Sequence, residues 1–243
     1  MSKRERIMLT RSAEDCARWA AELAQRGVDP IVFPCIDTEI IDTAATRARL
    51  RRALRDADWL VFTSQRGVGA FVALAGSRVP SRTRIATVGA ATAGAAQTEF
   101  GRAELIGERG TAADLADDLL AAAAPGERLL LVLAANAAAT LERKLAVAGH
   151  DVSRVDVYRT IPKPMLWPKR AFSTFAADWV FLASPSSSTG FTNQVELDCA
   201  ASAATIGPTT TAAARDLGFS TIRQAREQSL SGLLEAIGCP ART

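Results

Sequence analysis

The sequence predicts an α/β fold made of two similar doubly wound parallel-sheet domains, joined by a two-stranded β linker, with a cleft between them. Three observations lead to this prediction. Short apolar runs alternate with helical stretches along the whole chain of 243 residues, as in a parallel sheet that is covered by helices on both faces. Segments about 120 residues apart resemble each other, a period too long for a solenoid. Two extended segments rich in β-forming residues lie where the two halves would join.

The individual elements follow from local signals along the chain. Strands are expected where a short apolar run lies between polar turns: residues 6–10, 31–33, 59–63, 84–88, 103–106, 128–133, 179–183 and 203–206. A helix is expected after most of these strands, because a capping residue or a stopping glycine bounds each stretch. The first helix begins after Ser12 and stops at Gly27, later ones end near Leu74, Gly101, Ala124 and Gly149, and the last covers residues 229–237.

Three blocks of sequence occur twice. Asp58-Trp59-Leu60-Val61-Phe62-Thr63-Ser64 is echoed by Asp178-Trp179-Val180-Phe181-Leu182-Ala183-Ser184. Ala86-Thr87-Val88-Gly89 is echoed by Ala204-Thr205-Ile206-Gly207, and the opening strand and helix resemble residues 128–149. The extended segments 31–41 and 154–161 lie outside these blocks, and the breaker Pro162-Lys163-Pro164 follows the second. We interpret them as linker strands.

The composition excludes several classes of protein. Hydrophobic residues make up 48% and charged residues 23% of the chain, which is ordinary for a globular protein. No apolar run reaches the ~18 residues that a membrane span needs. The first ten residues do not form a secretory signal, so the expected location is the cytoplasm. The formal net charge of +3 is weak support for binding nucleic acid, and the arginine-rich stretch 47–55 is predicted to be a helix with a solvated face.

The cysteine and histidine content also limits the chemistry. Cys16, Cys35, Cys199 and Cys239 form no C-x-x-C pair, so we expect free thiols and no structural zinc site. A single histidine, His150, removes most routes to a Ser-His-Asp hydrolase or a two-histidine metal centre. It follows Gly149, so we expect it on a surface loop.

Four predicted strands end in small hydroxyl residues or glycine, and a helix begins after each. These ends are Ser64-Gln65-Arg66-Gly67, Gly89-Ala90-Ala91-Thr92, Ser184-Pro185-Ser186-Ser187-Ser188 and Gly207-Pro208-Thr209-Thr210-Thr211. Ligands of open parallel sheets bind beyond the carboxyl ends of the strands, and amides at helix N-termini attract anions. The alternative is that the hydroxyls are ordinary helix N-caps. Neither the triphosphate-binding nor the dinucleotide-binding glycine motif occurs.

In order along the chain, these segments resemble the uroporphyrinogen-III synthase family. The matching segments are Leu9-Thr10-Arg11, Val61-Phe62-Thr63-Ser64-Gln65-Arg66-Gly67-Val68 with Phe71, Val88-Gly89-Ala90-Ala91-Thr92, Val155-Asp156-Val157-Tyr158-Arg159-Thr160, Ser184-Pro185-Ser186-Ser187 and Ile206-Gly207-Pro208-Thr209-Thr210. Each is short, but the ordered set covers most of the chain. The resemblance implies a discontinuous domain of residues 1–36 and 162–243, a second domain of residues 42–153, and linker strands at 37–41 and 154–161.

The resemblance also implies a reaction that needs no cofactor. Linear hydroxymethylbilane loses its terminal hydroxyl as water, and the macrocycle closes with ring D inverted. Tyr158 matches the tyrosine that assists departure of the hydroxyl, although a half-buried linker tyrosine with a structural hydroxyl is the alternative. By the same matching, the groups that bind the substrate's carboxylates would be Arg11, Ser64, Arg66, Thr92, Ser184, Thr209 and Thr210.

The partner implied is this small molecule alone, with neither nucleic acid nor membrane, and the expected state is a monomer. The sequence departs from the family at Ala134-Ala135-Asn136, where an Arg-Gly turn is frequent. A basic contact to the substrate would be missing there. The alternative function is therefore that of a divergent paralogue, a non-catalytic or regulatory two-domain binder of a tetrapyrrole or another polycarboxylate.

Overall fold

The structure is a computed structural model that describes residues 4–107 and 109–239. The chain divides into two compact units. Unit 1 combines the chain up to Thr38 with the chain from Thr160 onward, and unit 2 is the continuous segment Glu39–Arg159. Among the described residues, no helix is both long and apolar enough to cross a membrane.

The strands and helices alternate as the sequence predicts. In chain order they are β1 (Arg6–Leu9), α1 (Ala13–Gln25), β2 (Asp29–Val32), β3 (Ile36–Ile40), α2 (Ala44–Asp56), β4 (Trp59–Phe62), α3 (Gln65–Ala75), β5 (Arg84–Val88), α4 (Gly89–Phe100), β6 (Leu105–Gly107), α5 (Ala112–Ala122), β7 (Arg128–Ala134), α6 (Thr140–Val147), β8 (Asp151–Pro162), β9 (Arg170–Ala171), β10 (Trp179–Leu182), α7 (Pro185–Gln194), β11 (Val195–Glu196), β12 (Ser202–Thr205), α8 (Pro208–Asp216), β13 (Thr221–Gln224) and α9 (Leu230–Ile237). The chain passes between the units within β3 and within β8.

Each unit contains a parallel sheet with helices on both faces. The sheet of unit 1 has the order β13-β12-β10-β1-β2, and the sheet that lies mainly in unit 2 has the order β3-β8-β7-β4-β5-β6. In unit 1, α1 and α9 pack on one face while α7 and α8 pack on the other. In unit 2, α2, α3 and α4 cover one face and α5 and α6 cover the other. The predicted α/β class with parallel sheets is confirmed.

The two units repeat each other strand by strand. The unit 1 strands in the order β12-β10-β1-β2 correspond one to one to the unit 2 strands in the order β5-β4-β7-β8. The repeated aspartates make the same contacts, because the Oδ2 of Asp58 accepts a hydrogen bond from the Arg128 amide at 2.9 Å and the Oδ2 of Asp178 accepts one from the Arg6 amide at 2.9 Å. The sequence repeat therefore reflects a structural duplication.

Apart from the two-residue strands β9 and β11, which were not expected, two local features differ from the sequence-based expectations. Strand β13 was not predicted, because Ile222 is the one strongly apolar residue in Thr221–Gln224. The strand lies at the edge of the sheet, where polar side chains are tolerated. The surface position expected for His150 is wrong, since its side chain is only 9% exposed. Gly149 adopts a positive φ of 90°, and the His150 amide then donates back to the carbonyl of Leu145 at 3.2 Å, which folds the histidine inward.

Candidate functional site

Ser64 stands at the carboxyl end of β4 and caps α3. Its Oγ accepts a hydrogen bond from the Gly67 amide at 3.0 Å, as an N-cap serine does. Gly67 lets the helix start close to the sheet, because a Cβ at this position would lie 3.3 Å from the carbonyl oxygen of Val132 on β7. The positive end of the α3 dipole and its first amides thus lie directly at the strand end.

Tyr158 is brought to Ser64 by an irregularity in β8. The pairing of β7 with β8 shifts register, so that Leu133 faces Asp156 but Ala134 already faces Tyr158. Val157 is the extra residue of this β-bulge, and it is buried in the same apolar cluster as Tyr158. A bulge turns a side chain that would otherwise alternate to the other face. As a result, the hydroxyl of Tyr158 lies 2.9 Å from the Oγ of Ser64.

Arg66 and Thr92 lie at the same edge of unit 2. Arg66 is in the first turn of α3 and is partly buried, and Thr92 is in the first turn of α4 and is 5% exposed. The two helix starts are tied together by Gln65, whose Nε2 donates to the carbonyl of Ala91 at 3.1 Å. The first turn of α4 has no side-chain cap. The structure thus places Ser64, Arg66, Thr92 and Tyr158 around the carboxyl ends of the unit 2 strands.

The predicted residues of unit 1 occupy the corresponding edge of their own sheet. Ser184 caps α7 with a capping box, in which its Oγ accepts from the Ser187 amide at 3.1 Å and the Oγ of Ser187 accepts from the Ser184 amide at 3.1 Å. Thr209 is exposed and Thr210 is buried in the first turn of α8, whose N-cap Gly207 has no side chain to offer. Uncapped amides at this helix start can bind an anion.

Arg11 has partners inside its own unit. Its Nη2 lies 3.0 Å from the Oδ2 of Asp15, and its guanidinium stacks over the ring of Trp19 at 4.7 Å. Asp15 is 8% exposed and also pairs with Arg18 at 3.1 Å. Sequence reasoning misses this pairing because Asp15 also fits the capping pattern at the start of α1. Carboxylate binding by Arg11 would have to share the guanidinium with Asp15.

Two backbone contributions to the site were not anticipated from the sequence. Gly67 belongs to a predicted anion-binding turn, but nothing in the sequence indicates that it allows the close approach of α3 to β7. Ala135, in the turn that lacks the basic residue, donates its amide to the carbonyl of Tyr158 at 2.8 Å. The backbone of the alanine turn therefore fixes the strand segment that carries the tyrosine, and no side-chain signal could have indicated it.

The thiols do not add nucleophiles to the site. Burial raises the pKa of Cys16 to about 11 and also raises the pKa of Cys35, so both stay protonated at neutral pH. Cys199 is exposed and Cys239 is partly exposed. Within residues 4–107 and 109–239, no group of three histidine, cysteine, aspartate or glutamate side chains is arranged to hold a metal ion.

Comparison with known proteins connects this site to one family. The family model described as "Uroporphyrinogen-III synthase HemD" matches residues 17–235. The chain is 27% identical over 247 residues to the chloroplastic uroporphyrinogen-III synthase of Oryza sativa subsp. japonica, covering 95% of this chain and 79% of that protein. A porphyrin biosynthesis protein HemD of Ruminiclostridium josui is 30% identical over 93 residues, 36% of this chain and 18% of that protein.

Solved structures show the same fold at low sequence identity. The uroporphyrinogen-III synthetase of Helicobacter pylori 26695 superposes with a TM-score of 0.61 at 15% identity, covering 97% of this chain and 98% of that one. A variant of the synthase from Thermus thermophilus gives a TM-score of 0.53 at 20% identity, covering 96% and 97%. The comparisons support the synthase interpretation and not the non-catalytic alternative.

Proposed function

We propose that this chain, which belongs to the uroporphyrinogen-III synthase family, converts hydroxymethylbilane to uroporphyrinogen III with Tyr158 and Ser64 at the reacting end of the substrate. Members of this family are lyases of heme biosynthesis that act on a small tetrapyrrole. The observation that carries the residue assignment is the 2.9 Å hydrogen bond between the Tyr158 hydroxyl and the Ser64 Oγ at the start of α3.

Tyr158 has the chemistry that departure of the hydroxyl requires. The pyrrole nitrogen of the bilane pushes out the terminal hydroxyl, which leaves as water only if it takes up a proton. The phenol O–H of a tyrosine is a hydrogen-bond donor and can give that proton to the departing oxygen. When the ring closes, the cationic intermediate loses one proton, which restores the phenol. One molecule of water is released and the enzyme is unchanged.

Ser64 is placed to assist this transfer. One lone pair of its Oγ is taken by the Gly67 amide, so the hydroxyl can either accept from Tyr158 or turn and donate to it. As the phenol gives up its proton, donation from Ser64 stabilises the negative oxygen that forms. The positive end of the α3 dipole acts in the same direction. Ser64 therefore acts through Tyr158 as well as holding it in position.

The remaining predicted residues bind carboxylates of the substrate. Arg66 and Thr92 serve in unit 2, and Arg11, Ser184, Thr209 and Thr210 serve in unit 1. Backbone amides at the helix starts provide much of this binding, because α4 and α8 have no side-chain caps. Truncation of any one hydroxyl among Thr92, Ser184, Thr209 and Thr210 should therefore lower the rate only modestly.

The isomer of the product tests the proposal. The purified chain is given freshly made hydroxymethylbilane, and the uroporphyrin isomers are separated after oxidation. The type III isomer in excess over the spontaneous type I isomer supports synthase activity. Type I alone, at the rate seen without protein, contradicts it.

Three variants test the roles of the two hydroxyls. Tyr158→Phe should lower kcat by about 100-fold or more, since a positioned general acid contributes about 10²- to 10⁴-fold. Ser64→Ala should lower kcat less than Tyr158→Phe does.

Ser229→Ala is the matched control, because Ser229 caps α9 by accepting from the Gly232 amide at 3.0 Å, the same geometry as Ser64 with Gly67. Both serine variants lose a cap worth about 1 kcal/mol, but only Ser64→Ala should change catalysis. An unchanged rate and isomer ratio in Tyr158→Phe would remove Tyr158 from the mechanism.

The proposal extends to the state of the protein in the cell. It acts as a monomer in the cytoplasm, without a cofactor and without nucleic acid or membrane as partners. Light scattering of the purified chain and fractionation of cells that express it test the first two statements, and a dimer mass or an organellar location would contradict them.

A further inference from the structure

A cavity lies at the opposite end of the unit 2 strands from Ser64 and Tyr158. It has a volume of about 370 Å³ and is formed between α2 and the amino ends of β7 and β8. That volume is within the range of small-molecule sites. The charged and polar residues that line it are Arg49, Arg52, Asp56, Arg128, Asp151 and Ser153.

Two of its arginines make no ion pair with any residue that the structure describes. Arg47, on the same helix, is clamped by Asp42 at 2.6 and 2.8 Å. Arg49 and Arg52 have no ion pair or side-chain hydrogen bond to any described residue. The solvated face predicted for this helix is confirmed, since Arg49 and Arg52 are exposed, and the two also line one open cavity together with the exposed Arg128.

The third guanidinium belongs to Arg128. Comparison with the equivalent arginine of unit 1 shows that the fold does not dictate which carboxylate this guanidinium pairs with. In unit 1 the equivalent Arg6 pairs with Asp29 at 3.1 Å. In unit 2 the equivalent aspartate, Asp151, makes no ion pair with Arg128 among the described residues, and Arg128 instead pairs with Asp58 at 3.7 Å and with Asp56 at 4.0 Å. A short 3-10 turn, Phe172–Phe175, precedes β10 where α2 precedes β4. Arg49 and Arg52, which lie on α2, therefore have no counterpart at this position in unit 1.

We propose that this cavity binds a small phosphate-bearing molecule. A guanidinium engages an oxyanion through two parallel N–H donors. A planar carboxylate has two oxygens to offer, whereas a phosphate presents three or more in a tetrahedral arrangement and can meet three guanidiniums. The Ser153 hydroxyl adds a neutral donor at the same wall. This site is separate from the synthase reaction, so neither proposal depends on the other.

The two aspartates at the cavity define its selectivity. Asp56 and Asp151 offset two of the three positive charges, so long-range attraction for anions is weak. Binding therefore depends on direct bidentate contact, and chloride or a single carboxylate should bind poorly. Removing one of these carboxylates should strengthen the binding of phosphate.

The test is calorimetric titration of the full chain with inorganic pyrophosphate at about 0.15 M salt, where surface attraction is screened. Arg49→Gln/Arg52→Gln should weaken binding by about tenfold or more, the scale of a lost charge-assisted hydrogen bond. The matched control is Arg51→Gln/Arg55→Gln, which removes the same charge from the same helix at positions that do not line the cavity. It should change the affinity by less than about twofold. Asp151→Asn should tighten binding.

Three results would overturn the proposal. One is an equal loss of affinity in both double variants, which indicates general attraction to a basic helix. A second is the absence of pyrophosphate binding to the unaltered chain up to about 10 mM, beyond the weak millimolar range of affinity. Citrate binding as tightly as pyrophosphate would show that carboxylates, not phosphates, are the preferred ligand and would likewise contradict it. The isomer assay on the same variants reports the synthase reaction independently.

Discussion

At the scale of single residues, the two units differ in the hydrogen bonding of one buried threonine hydroxyl. Thr87 and Thr205 hold equivalent places, since Thr87 pairs with Phe62 on β4 and Thr205 pairs with Leu182 on β10. Both are completely buried. The Oγ1 of Thr205 lies 2.6 Å from the Oγ1 of Thr211, but the Oγ1 of Thr87 has no hydrogen-bond partner in the described chain. Ala93 stands where unit 1 has Thr211, and it has no hydroxyl to offer.

This difference predicts stability changes of opposite sign. Thr87→Val should raise the free energy of unfolding by about 1 kcal/mol, because it removes a buried hydroxyl that is unsatisfied and keeps the shape of the side chain. Thr205→Val should lower it by about the same amount, because it breaks a buried hydrogen bond. Urea denaturation of the two variants measures both changes, and the same sign in both would show that the hydrogen-bond state of Thr87 is not the cause.

The sequence motifs do not indicate which side chains come into contact in the folded protein. Ser64 and Tyr158 lie 94 positions apart in the chain, and each has an ordinary structural explanation when taken alone. Their hydrogen bond depends on a one-residue bulge whose position no local pattern marks. Arg11 shows the converse, because its motif indicates a free cation and the fold supplies Asp15 as a partner.

At the scale of elements, α7 depends on a glycine for its position in unit 1. A Cβ on Gly190 would lie 1.8 Å from the carbonyl oxygen of Cys35, which itself accepts a hydrogen bond from the Lys163 amide at 2.8 Å. The helix therefore packs directly on the backbone of the segment after β2. In α3, Gly69 has no atom within 4 Å of such a Cβ.

Alanine substitutions at these two glycines should have opposite effects. Gly190→Ala should lower the free energy of unfolding by about 3 kcal/mol or more, because the overpacked contact is backbone and cannot rotate away. Gly69→Ala should raise it by about 0.5–1 kcal/mol, since alanine favours a helix interior over glycine. Thermal unfolding of both variants checks this, and a stable Gly190→Ala protein would mean that α7 moves freely against the segment after β2.

At the scale of the whole molecule, each unit has its own core. The apolar clusters on the two faces of the unit 2 sheet contain only residues between Leu50 and Tyr158. The clusters of unit 1 draw on both chain ends, because β1 from the first segment lies between β10 and β2. The assignment of domains at 1–36 with 162–243 and at 42–153 stays a prediction, and the structure suggests how it can be tested.

The continuous segment 39–159 should fold by itself, because it contains every residue of its two cores. Residues 160–243 alone should not fold, because they lack β1 and α1, against which Phe181, Leu233 and Leu234 pack. Circular dichroism and urea unfolding of the two fragments measure this. A cooperative transition in the shorter fragment, or none in segment 39–159, would contradict the independence of the cores.

The sequence by itself determined the fold class, the alternation of elements and the duplication. These follow from helix caps, apolar periodicity and repeated segments such as those that begin with Asp58-Trp59 and Asp178-Trp179. Each of these signals can be recognised within a short stretch of the sequence. Only the tertiary structure decided that Tyr158 meets Ser64, that Arg11 is shared with Asp15, and that Arg49, Arg52 and Arg128 line one cavity. Such contacts depend on strand register and on the distance between packed elements, which are set by the whole core and leave no local pattern.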